Sequence, residues 1–257
     1  MSVDHLAKAR AFASLHTSGS PLVLFNVWDA GTAQAVQAGG AQAIATGSWS
    51  VAAAHGQQDG EQLPLELALA NLSRIVAAVQ VPVSIDLERG YGVDAEGVAR
   101  TVAAAIDAGA VGCNLEDSPA EGGLRTVEDQ VQRIAQARRA ADASGIPFFI
   151  NARTDVFLQV PPAEHDDGLL VAALTRTRAY VDAGADGVFL PGLADPTLIS
   201  AAAKGSGRPL NVMVTDGTPS LSVLRDVGVA RVSHGPGPYL AAMSFIQEAS
   251  RAACTAT

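Results

Sequence analysis

The chain has 257 residues, 48% of them hydrophobic and 17% charged, with a formal net charge of -9 at pH 7. An acidic chain without a basic cluster is a poor partner for nucleic acid or an anionic membrane, because phosphate contacts need grouped Lys and Arg side chains. The apolar fraction excludes a disordered chain, and no apolar run reaches the length that spans a membrane. Cys113 and Cys254 lack metal-binding spacing, so we expect reduced thiols in a cytoplasmic protein.

Short apolar runs alternate with helical patterns along the chain. After a leading helix at residues 4–15, the runs predicted as strands lie at residues 22–27, 43–46, 81–88, 112–117, 148–155, 187–190, 210–214 and 230–233. The helices predicted among them lie at residues 29–40, 64–79, 94–108, 126–144, 167–183, 195–203, 220–227 and 238–251. Continuous apolar runs are typical of parallel strands that are buried on both faces and joined by crossover helices.

This alternation predicts an α/β fold, a (β/α)8 TIM barrel with an additional N-terminal helix, as one domain over residues 1–257. Glycines such as Gly109, Gly145, Gly184 and Gly228 follow predicted helices, where they would supply a left-handed cap. A doubly wound open sheet is the alternative. That fold usually carries GxGxxG after its first strand, whereas residues 28–32 read WDAGT.

One predicted strand ends in two carboxylates within the segment VPVSIDLERGYG, at residues 81–92. Asp86 and Glu88 are two residues apart, and the period of an extended strand would direct both to one side. Gly90 and Gly92 follow, so the backbone is expected to turn there. Carboxylates in such a place hold a hard divalent cation such as Mg²⁺. The alternative is a pair of solvated acids on an edge strand.

The carboxyl ends of barrel strands converge on the mouth where the chemistry lies. Asp86, Glu88 and Glu116 would crowd there, and a divalent cation would neutralise them. The fork of Arg153 would match a substrate carboxylate, and residues 47–49 could direct N–H groups at a developing oxyanion. Together these features predict a metal-assisted site for a small carboxylic acid that forms an enolate-like state.

Five motifs in this order resemble the isocitrate lyase and phosphoenolpyruvate mutase superfamily. They are Gly47-Ser48-Trp49, Asp59, IDLERGYG, NLEDS and NARTD. The resemblance implies Mg²⁺, with Mn²⁺ as a substitute, held by Asp86 and reached through water by Glu88, Glu116 and Asp59. It also implies that the amides of Ser48 and Trp49 receive the enolate oxygen and that Arg153 takes a carboxylate. Barrels of this family often form dimers or tetramers, so we expect a homodimer or homotetramer.

The chain also departs from that family's pattern. The loop SPAEGGLRTVED after the fourth strand has no K-x-C-G-H motif, and residues 189–192 read FLPG where the lyases place a Glu. Tricarboxylate cleavage is therefore disfavoured. We expect a Mg²⁺-dependent lyase or decarboxylase for a small 2-oxo or 2-hydroxy acid, oxaloacetate-like, acting through a metal-stabilised enolate of pyruvate. The alternatives are a C–P bond enzyme of the phosphonopyruvate type and a barrel that binds a 2-oxo acid without turnover.

Several further polar residues have open roles. Water, Tyr91 or His55 could supply the proton, and Asn211 could bind a substrate carboxylate or hold a loop. Asp117 could ligate the metal directly, or it could support the site by capping or by pairing with Arg153. Trp49 would pack over the substrate or only close the barrel mouth. Residues expected to be structural or solvated are Cys113 in the core, His234 in a turn, and His5, His16 and His165 at the surface.

Overall fold

The computed structural model describes residues 3–255. Within them, eight parallel strands form one sheet in the order β1-β8-β7-β6-β5-β4-β3-β2. A parallel bridge between Val27 and Thr46 joins the two edges of this sheet, so the barrel is nearly closed. The predicted (β/α)8 barrel with a leading helix is confirmed. Across the described part of the chain, no helix is both long and apolar enough to cross a membrane.

The strands are short, and helices follow them around the outside. The strands are β1 Leu22–Leu24, β2 Ile44–Ala45, β3 Val83–Asp86, β4 Gly112–Glu116, β5 Phe149–Arg153, β6 Gly187–Leu190, β7 Leu210–Met213 and β8 Arg231–Ser233. The helices are α1 Val3–Ser14, α2 Ala30–Ala38, α3 Ser48–Ala54, α4 Leu65–Ala78, α5 Ala95–Asp107, α6 Val127–Ser144, α7 Asp167–Asp182, α8 Pro196–Gly205, α9 Leu221–Asp226 and α10 Gly237–Thr255.

Most crossover helices begin at a side chain that accepts a hydrogen bond from the first turn. Asp29 forms a capping box with Thr32, and Asp94 accepts from the N–H of Gly97. Thr126 and Asp195 cap α6 and α8 in the same way. Such caps satisfy N–H groups that have no intrahelical partner, and each contributes about 1 kcal/mol.

The structure differs from the predicted elements at the barrel mouth. No helix was predicted directly after β2, but Ser48 starts helix α3 with Gly47 as its N-cap. Two 3-10 turns, Val156–Leu158 and Pro162–Glu164, follow β5. Strand β3 ends at Asp86, short of the predicted residue 88. These differences all lie where the loops build the site.

Polar side chains meet inside the barrel beneath the mouth. The Oδ1 atom of Asn114 on β4 accepts hydrogen bonds from Nδ2 of Asn151 at 2.9 Å and from Nη2 of Arg231 at 3.1 Å. These residues come from β4, β5 and β8, so the bonds cross the interior. All three side chains are buried. A buried polar group is tolerated when it is hydrogen-bonded, and this network fixes the amide of Asn114.

His16 lies in the core, and its predicted solvation is wrong. Its ring stacks on Phe149 with centroids 3.9 Å apart, and its Nδ1 lies 2.8 Å from the carbonyl oxygen of Phe12. Burial lowers the pKa of His16 to about 3, and the charge of Arg231 acts in the same direction. The folded protein therefore holds a neutral imidazole at this position.

Close glycine contact fixes the loop after β3. A Cβ on Gly92 would lie 2.4 Å from the main-chain nitrogen of Val98, and a Cβ on Gly97 would lie 2.8 Å from Cα of Gly92. No side chain fits at either place without moving the backbone. The loop that carries Glu88 is thus pressed against the first turn of α5.

Helix α10 projects from the barrel. Pro238 is its only buried residue among those described, and Leu240, Phe245 and Ile246 are 51%, 71% and 55% exposed. A cavity of about 680 Å³ lies between β1 and α2, lined by apolar residues that include Val23 and Phe25. Both features leave apolar surface uncovered in the single chain.

Candidate active site at the barrel mouth

A cavity of about 140 Å³ opens at the carboxyl ends of the strands. Its lining includes five of the predicted site residues, namely Ser48, Trp49, Asp59, Asp86 and Arg153. A second, much smaller cavity adjoins it and is lined by Ser48, Asp86, Glu88 and Tyr91. The barrel therefore brings these residues from separate loops together at one mouth.

The carboxylate of Asp86 is positioned by main-chain groups. Its Oδ2 accepts from the N–H of Ser48 at 3.3 Å and its Oδ1 from the N–H of Glu88 at 3.4 Å. Its own N–H donates to Oγ1 of Thr46 at 3.0 Å. Both bonds to the carboxylate are long, so its oxygens keep lone pairs for a ligand in the cavity.

Glu88 lies close to Asp86, but the backbone between them does not have the geometry of a strand. Its φ is +50°, so the chain has left the extended conformation and the expected alternation is wrong there. Oε2 of Glu88 accepts from the N–H groups of Gly60 and Glu61 at 2.7 and 2.5 Å, and Oε1 accepts from the hydroxyl of Tyr91 at 2.8 Å. Three donors thus occupy this carboxylate.

Strained backbone clusters around Glu88. Among described residues other than glycine, positive φ occurs at Glu61, Glu88 and Tyr91, with values of 60°, 50° and 53°. Residues outside glycine rarely adopt this region, and such strain persists where surrounding contacts determine the conformation. Burial raises the pKa of Glu88 to about 7 against the hydrogen bond from Tyr91, and the charges of Asp59 and Asp86 raise it further.

Arg153 is held between two acids. Its Nη1 lies 2.8 Å from Oε2 of Glu116, while Nε and Nη2 lie 2.6 and 3.0 Å from the two carboxylate oxygens of Asp155. Burial raises the pKa of Glu116 to about 8, although Arg153 opposes this shift. The charges of Glu116 and Asp155 raise the pKa of Arg153 despite its burial. Arg153 is therefore a fixed cation with a few N–H groups left for a ligand.

Asp117 supports this arrangement from behind, but it does not pair with Arg153. Its Oδ2 accepts from the hydroxyl of Tyr180 at 2.8 Å and from Nη1 of Arg176 at 3.2 Å. Its Oδ1 accepts from the N–H of Asp155 at 3.0 Å. Asp117 is fully buried, so it anchors the residue that in turn holds Arg153.

The start of α3 forms one wall of the cavity. Gly47 caps the helix without a side-chain acceptor, so the N–H of Trp49 has no intrahelical partner, while the N–H of Ser48 makes only the long bond to Asp86. Trp49 is 38% exposed and packs edge-on to Tyr239, with ring centroids 5.8 Å apart. Asp59 is exposed as a residue, yet its carboxylate lines the cavity, where partial desolvation and the charge of Asp86 raise its pKa.

Three other candidates lie outside the main cavity. Asn211 is buried, and its Oδ1 accepts from Oγ of Ser233 at 3.2 Å. His55 is exposed, with Nδ1 2.9 Å from the carbonyl oxygen of Val51. Tyr91 donates to Glu88, and burial together with that charge raises the pKa of its hydroxyl. Neither proposed proton donor faces the cavity.

Sequence reasoning missed residues that complete the cavity. Asn114, Phe189, Met213 and Pro236 all line it. The motif NLEDS contains Asn114, but its first residue was read only as part of a strand. The apolar residues carried no chemical signal of their own, and their positions at the ends of β6 to β8 were the available clue.

The predicted metal ligands do not form a complete coordination sphere. Within residues 3–255, no group of three His, Cys, Asp or Glu side chains is placed to hold a metal ion together. Glu88 is occupied by three donors and Glu116 by Arg153. Asp86 alone of the three lines the main cavity with open lone pairs. These residues therefore fit a metal ion that is held directly by Asp86 alone, with water in its other coordination positions. The predicted set of metal ligands stays a prediction.

The fold and the cavity define an α/β barrel with a candidate active site, and the comparisons place it in the isocitrate lyase/phosphoenolpyruvate mutase superfamily. A family model described as phosphoenolpyruvate phosphomutase matches residues 12–254, and the chain belongs to that family. The 2-methylisocitrate lyase of Escherichia coli is 31% identical over 80% of this chain and 70% of the relative. An oxaloacetate decarboxylase of Pseudomonas fluorescens is 30% identical over 97% and 86%.

Solved structures are similar throughout the barrel. A putative phosphonomutase from Burkholderia cenocepacia is 54% identical, with a TM-score of 0.94, over 96% of this chain and 98% of that one. A phosphonopyruvate hydrolase solved with oxalate and Mg²⁺ has the same fold, with a TM-score of 0.81 and 24% identity over 95% and 86%. The superfamily thus includes lyases, mutases and hydrolases, and a member of it was solved with a divalent metal.

Proposed function

We propose that the protein is a Mg²⁺-dependent lyase or decarboxylase that acts on a small 2-oxo or 2-hydroxy carboxylic acid, with oxaloacetate as the test substrate. One observation supports this most. Asp86, with open lone pairs, lines the same cavity as the fixed cation Arg153 and the first turn of α3. Such a cavity offers an ion site, a carboxylate partner and an oxyanion partner together.

The residues fit a hydrated Mg²⁺. Asp86 would hold it directly, and Asp59, Glu88 and Glu116 would act through water, which suits an ion that keeps several waters. When bound, the ion supplies positive charge to the substrate's carboxylate and neighbouring oxygen. Mn²⁺, which also prefers oxygen ligands, would be a substitute. Burial is the main cause of the raised pKa values of Glu88 and Glu116, and neighbouring acids such as Asp86 add to it, so a bound cation would lower both.

The side chains have distinct tasks in this proposal. With oxaloacetate, the C3–C4 bond breaks, CO2 leaves, and the bonding electron pair forms the C2–C3 double bond of the pyruvate enolate. The amides of Ser48 and Trp49 would stabilise the enolate oxygen. Arg153 would orient the carboxylate through its remaining N–H groups. A proton from water then adds to C3, since Tyr91 and His55 do not face the cavity.

A C–P bond enzyme is the second candidate, favoured by the 54% identical structure described as a putative phosphonomutase. Against it, Arg153 is the single cation among the described residues that line the cavity, and phosphonopyruvate carries more negative charge than oxaloacetate when its phosphonate is doubly ionised. A barrel that binds 2-oxo acids without turnover is the third.

Product release from a substrate panel tests the three candidates. Oxaloacetate, phosphonopyruvate, methylisocitrate and a dialkyl malate would each be incubated with Mg²⁺ and with EDTA, and pyruvate and phosphate measured. Pyruvate from oxaloacetate, abolished by EDTA, is the expected result. Phosphate from phosphonopyruvate would favour the second candidate. Tight oxalate binding without any product would favour the third.

We also propose a homodimer or homotetramer in which α10 of one copy covers apolar surface of another. The exposed Leu240, Phe245 and Ile246 would form the contact surface of α10, and the apolar cavity of about 680 Å³ between β1 and α2 would receive it. Exposed apolar patches of this kind mark protein interfaces. The free thiols of Cys113 and Cys254 support a cytoplasmic location.

A further inference from the structure

Asn114 is a buried polar residue that also reaches the cavity at the barrel mouth. It lines this cavity together with Asp86 and Arg153, although only 5% of the residue is exposed. On the sheet it pairs in register with Asp86, so the two side chains lie next to each other on the inner face of the barrel. Asn114 is uncharged, unlike these two neighbours.

The two ends of the Asn114 amide have different surroundings. Oδ1 accepts from Nδ2 of Asn151 and from Nη2 of Arg231. Arginine has five N–H donors and no acceptor, so the amide atom that Arg231 contacts at 3.1 Å must be the oxygen. Asn151 could present either end of its own amide and does not decide the orientation by itself. Arg231 therefore holds the oxygen of Asn114 in the barrel interior and directs its N–H2 group toward the cavity.

The N–H2 group of Asn114 is available to a ligand. It makes no hydrogen bond within residues 3–255. The other amide of the lining, that of Asn26, donates to the carbonyl oxygen of Thr46 at 3.0 Å. The three nitrogens of Arg153 already contact two acids. An anion in this cavity would thus meet an uncommitted neutral donor at Asn114.

Arg231 holds this amide at a cost in stability. The residue is 1% exposed, and its Nε and Nη1 have no hydrogen-bond partner in the described part of the chain. Burial lowers the pKa of Arg231 to about 10, although the charge of Asp86 opposes this, so the guanidinium stays protonated at neutral pH. A buried cation with so few partners destabilises a fold. Stability therefore does not explain the position of Arg231, whereas the orientation of Asn114 does.

We infer that Asn114 binds a carboxylate oxygen of the substrate through its N–H2 group, and that Arg231 is the positioning residue that orients this group. The inference rests on the proposed function, because it needs an anionic acid beside Asp86. A hydrogen bond from a neutral donor to an anionic oxygen changes affinity roughly 10- to 100-fold. Arg231 does not line the cavity, so it acts through Asn114 and not on the ligand.

A crystal structure of the wild-type protein with Mg²⁺ and oxalate tests the contact directly. We expect Nδ2 of Asn114 to lie about 2.7–3.2 Å from an oxalate oxygen. Oxalate bound in the cavity with all of its oxygens beyond about 3.5 Å from Nδ2 would overturn the inference. A wild-type protein that does not bind oxalate with Mg²⁺ would instead contradict the proposed function.

A double-mutant cycle tests the role of Arg231. In calorimetry with Mg²⁺, Asn114→Ala should weaken oxalate binding roughly 10- to 100-fold, and Arg231→Met should weaken it at least about fivefold. The double variant should bind like Asn114→Ala, because Arg231 has no amide left to orient. Losses that multiply in the double variant, or unchanged affinity in either folded single variant, would contradict the assigned roles.

Two further variants separate orientation of the amide from loss of packing. Arg231→Lys keeps a cation that can only donate, so oxalate affinity should stay within about threefold of the wild type. Thr177→Ala removes a buried hydroxyl on α7 and should also bind like the wild type. Equal losses in Arg231→Lys and Arg231→Met, or a similar loss in Thr177→Ala, would overturn the role of Arg231. Where a variant does not fold, the wild-type crystal structure decides.

Discussion

Asp155 grips Arg153 side-on, with Oδ1 2.6 Å from Nε and Oδ2 3.0 Å from Nη2. The two residues are separated by one position in the chain, and the hydroxyl of Ser118 donates to the same carboxylate at 2.6 Å. Bidentate geometry fixes the plane of the guanidinium as well as its position. The orientation of the cation at the mouth therefore depends on Asp155.

Asp155→Asn should disturb the orientation of the Arg153 guanidinium while leaving Arg153 itself in the site. The amide keeps the shape of the side chain but replaces an acceptor with a donor that faces an N–H of Arg153. We expect kcat/KM to fall roughly 10- to 100-fold, which corresponds to about 1.4–2.8 kcal/mol. Steady-state kinetics and oxalate affinity would measure it. Asp4→Asn, which removes an acceptor from the exposed ion pair with Lys8 on α1, is the matched control, and equal losses in both variants would speak against this role.

Asp86→Asn should abolish binding of Mg²⁺ and of Mg²⁺-dependent oxalate, because the direct ligand loses its charge. Calorimetry would show no heat above dilution for oxalate plus Mg²⁺. Glu121→Gln removes an exposed acid of the loop after β4 and should bind like the wild type. Retention of Mg²⁺-dependent oxalate binding in Asp86→Asn would remove the basis of the metal proposal.

Tyr91→Phe distinguishes two roles of the Tyr91 hydroxyl, namely the hydrogen bond to Glu88 and the transfer of a proton to the substrate. The variant loses the 2.8 Å hydrogen bond to Glu88 and should lower the free energy of unfolding by about 1 kcal/mol. Because the hydroxyl donates to Glu88 and does not line the main cavity, kcat should stay within about threefold of the wild type. Denaturant unfolding and kinetics measure both effects. A drop in kcat of more than about 100-fold would identify Tyr91 as the proton donor.

Acid should destabilise the fold partly through His16. Its pKa falls from 6.5 to about 3 on folding, so between these values the unfolded chain binds a proton that the native protein does not. The free energy of unfolding is fully retained above pH 6.5 and declines below it, by about 1.4 kcal/mol per pH unit from this group. His16→Asn should flatten that slope in urea unfolding from pH 7 to 4. His55→Asn, at an exposed histidine, is the control, and an unchanged slope in His16→Asn would contradict the assignment.

Self-association should depend on the apolar side of α10. Phe245→Asp places a charge where the proposed interface excludes water, so the assembly should dissociate to monomers in size-exclusion chromatography with light scattering. Gln247→Asp adds the same charge at another exposed position of the helix and should leave the assembly intact. A wild-type monomer, or an unaltered oligomer in Phe245→Asp, would refute the proposal.

The barrel could be predicted from the sequence because its strands are continuous apolar runs. Residues 187–190 and 210–212 are buried on both faces, and capping residues such as Asp94 and Asp195 mark where helices begin. The local pattern therefore agrees with the tertiary packing. The mouth was predicted less well, since no helix was predicted over residues 48–54, where α3 lies.

Long-range contacts decided the features that the sequence could not reveal. The positive φ of Glu88 follows from donors on the distant loop of Gly60 and Glu61. His16 looks polar in sequence, but Phe149 covers it only in the folded barrel. Asp155 was visible in the motif NARTD, yet its grip on Arg153 depends on a side-chain geometry that spacing does not specify.

The contact between Gly92 and Gly97 limits how this protein could be altered. Because each glycine occupies the space that the other's side chain would need, a single replacement at either position would push the segment bearing Glu88 away from Asp86. Random mutagenesis for new substrates should therefore yield almost no survivors at these two positions, while the cavity residues on β6 to β8 remain open to exchange. Laboratory evolution of this barrel should therefore change the range of substrates through residues on β6 to β8. The segment that carries Glu88, and with it the type of reaction, should stay the same.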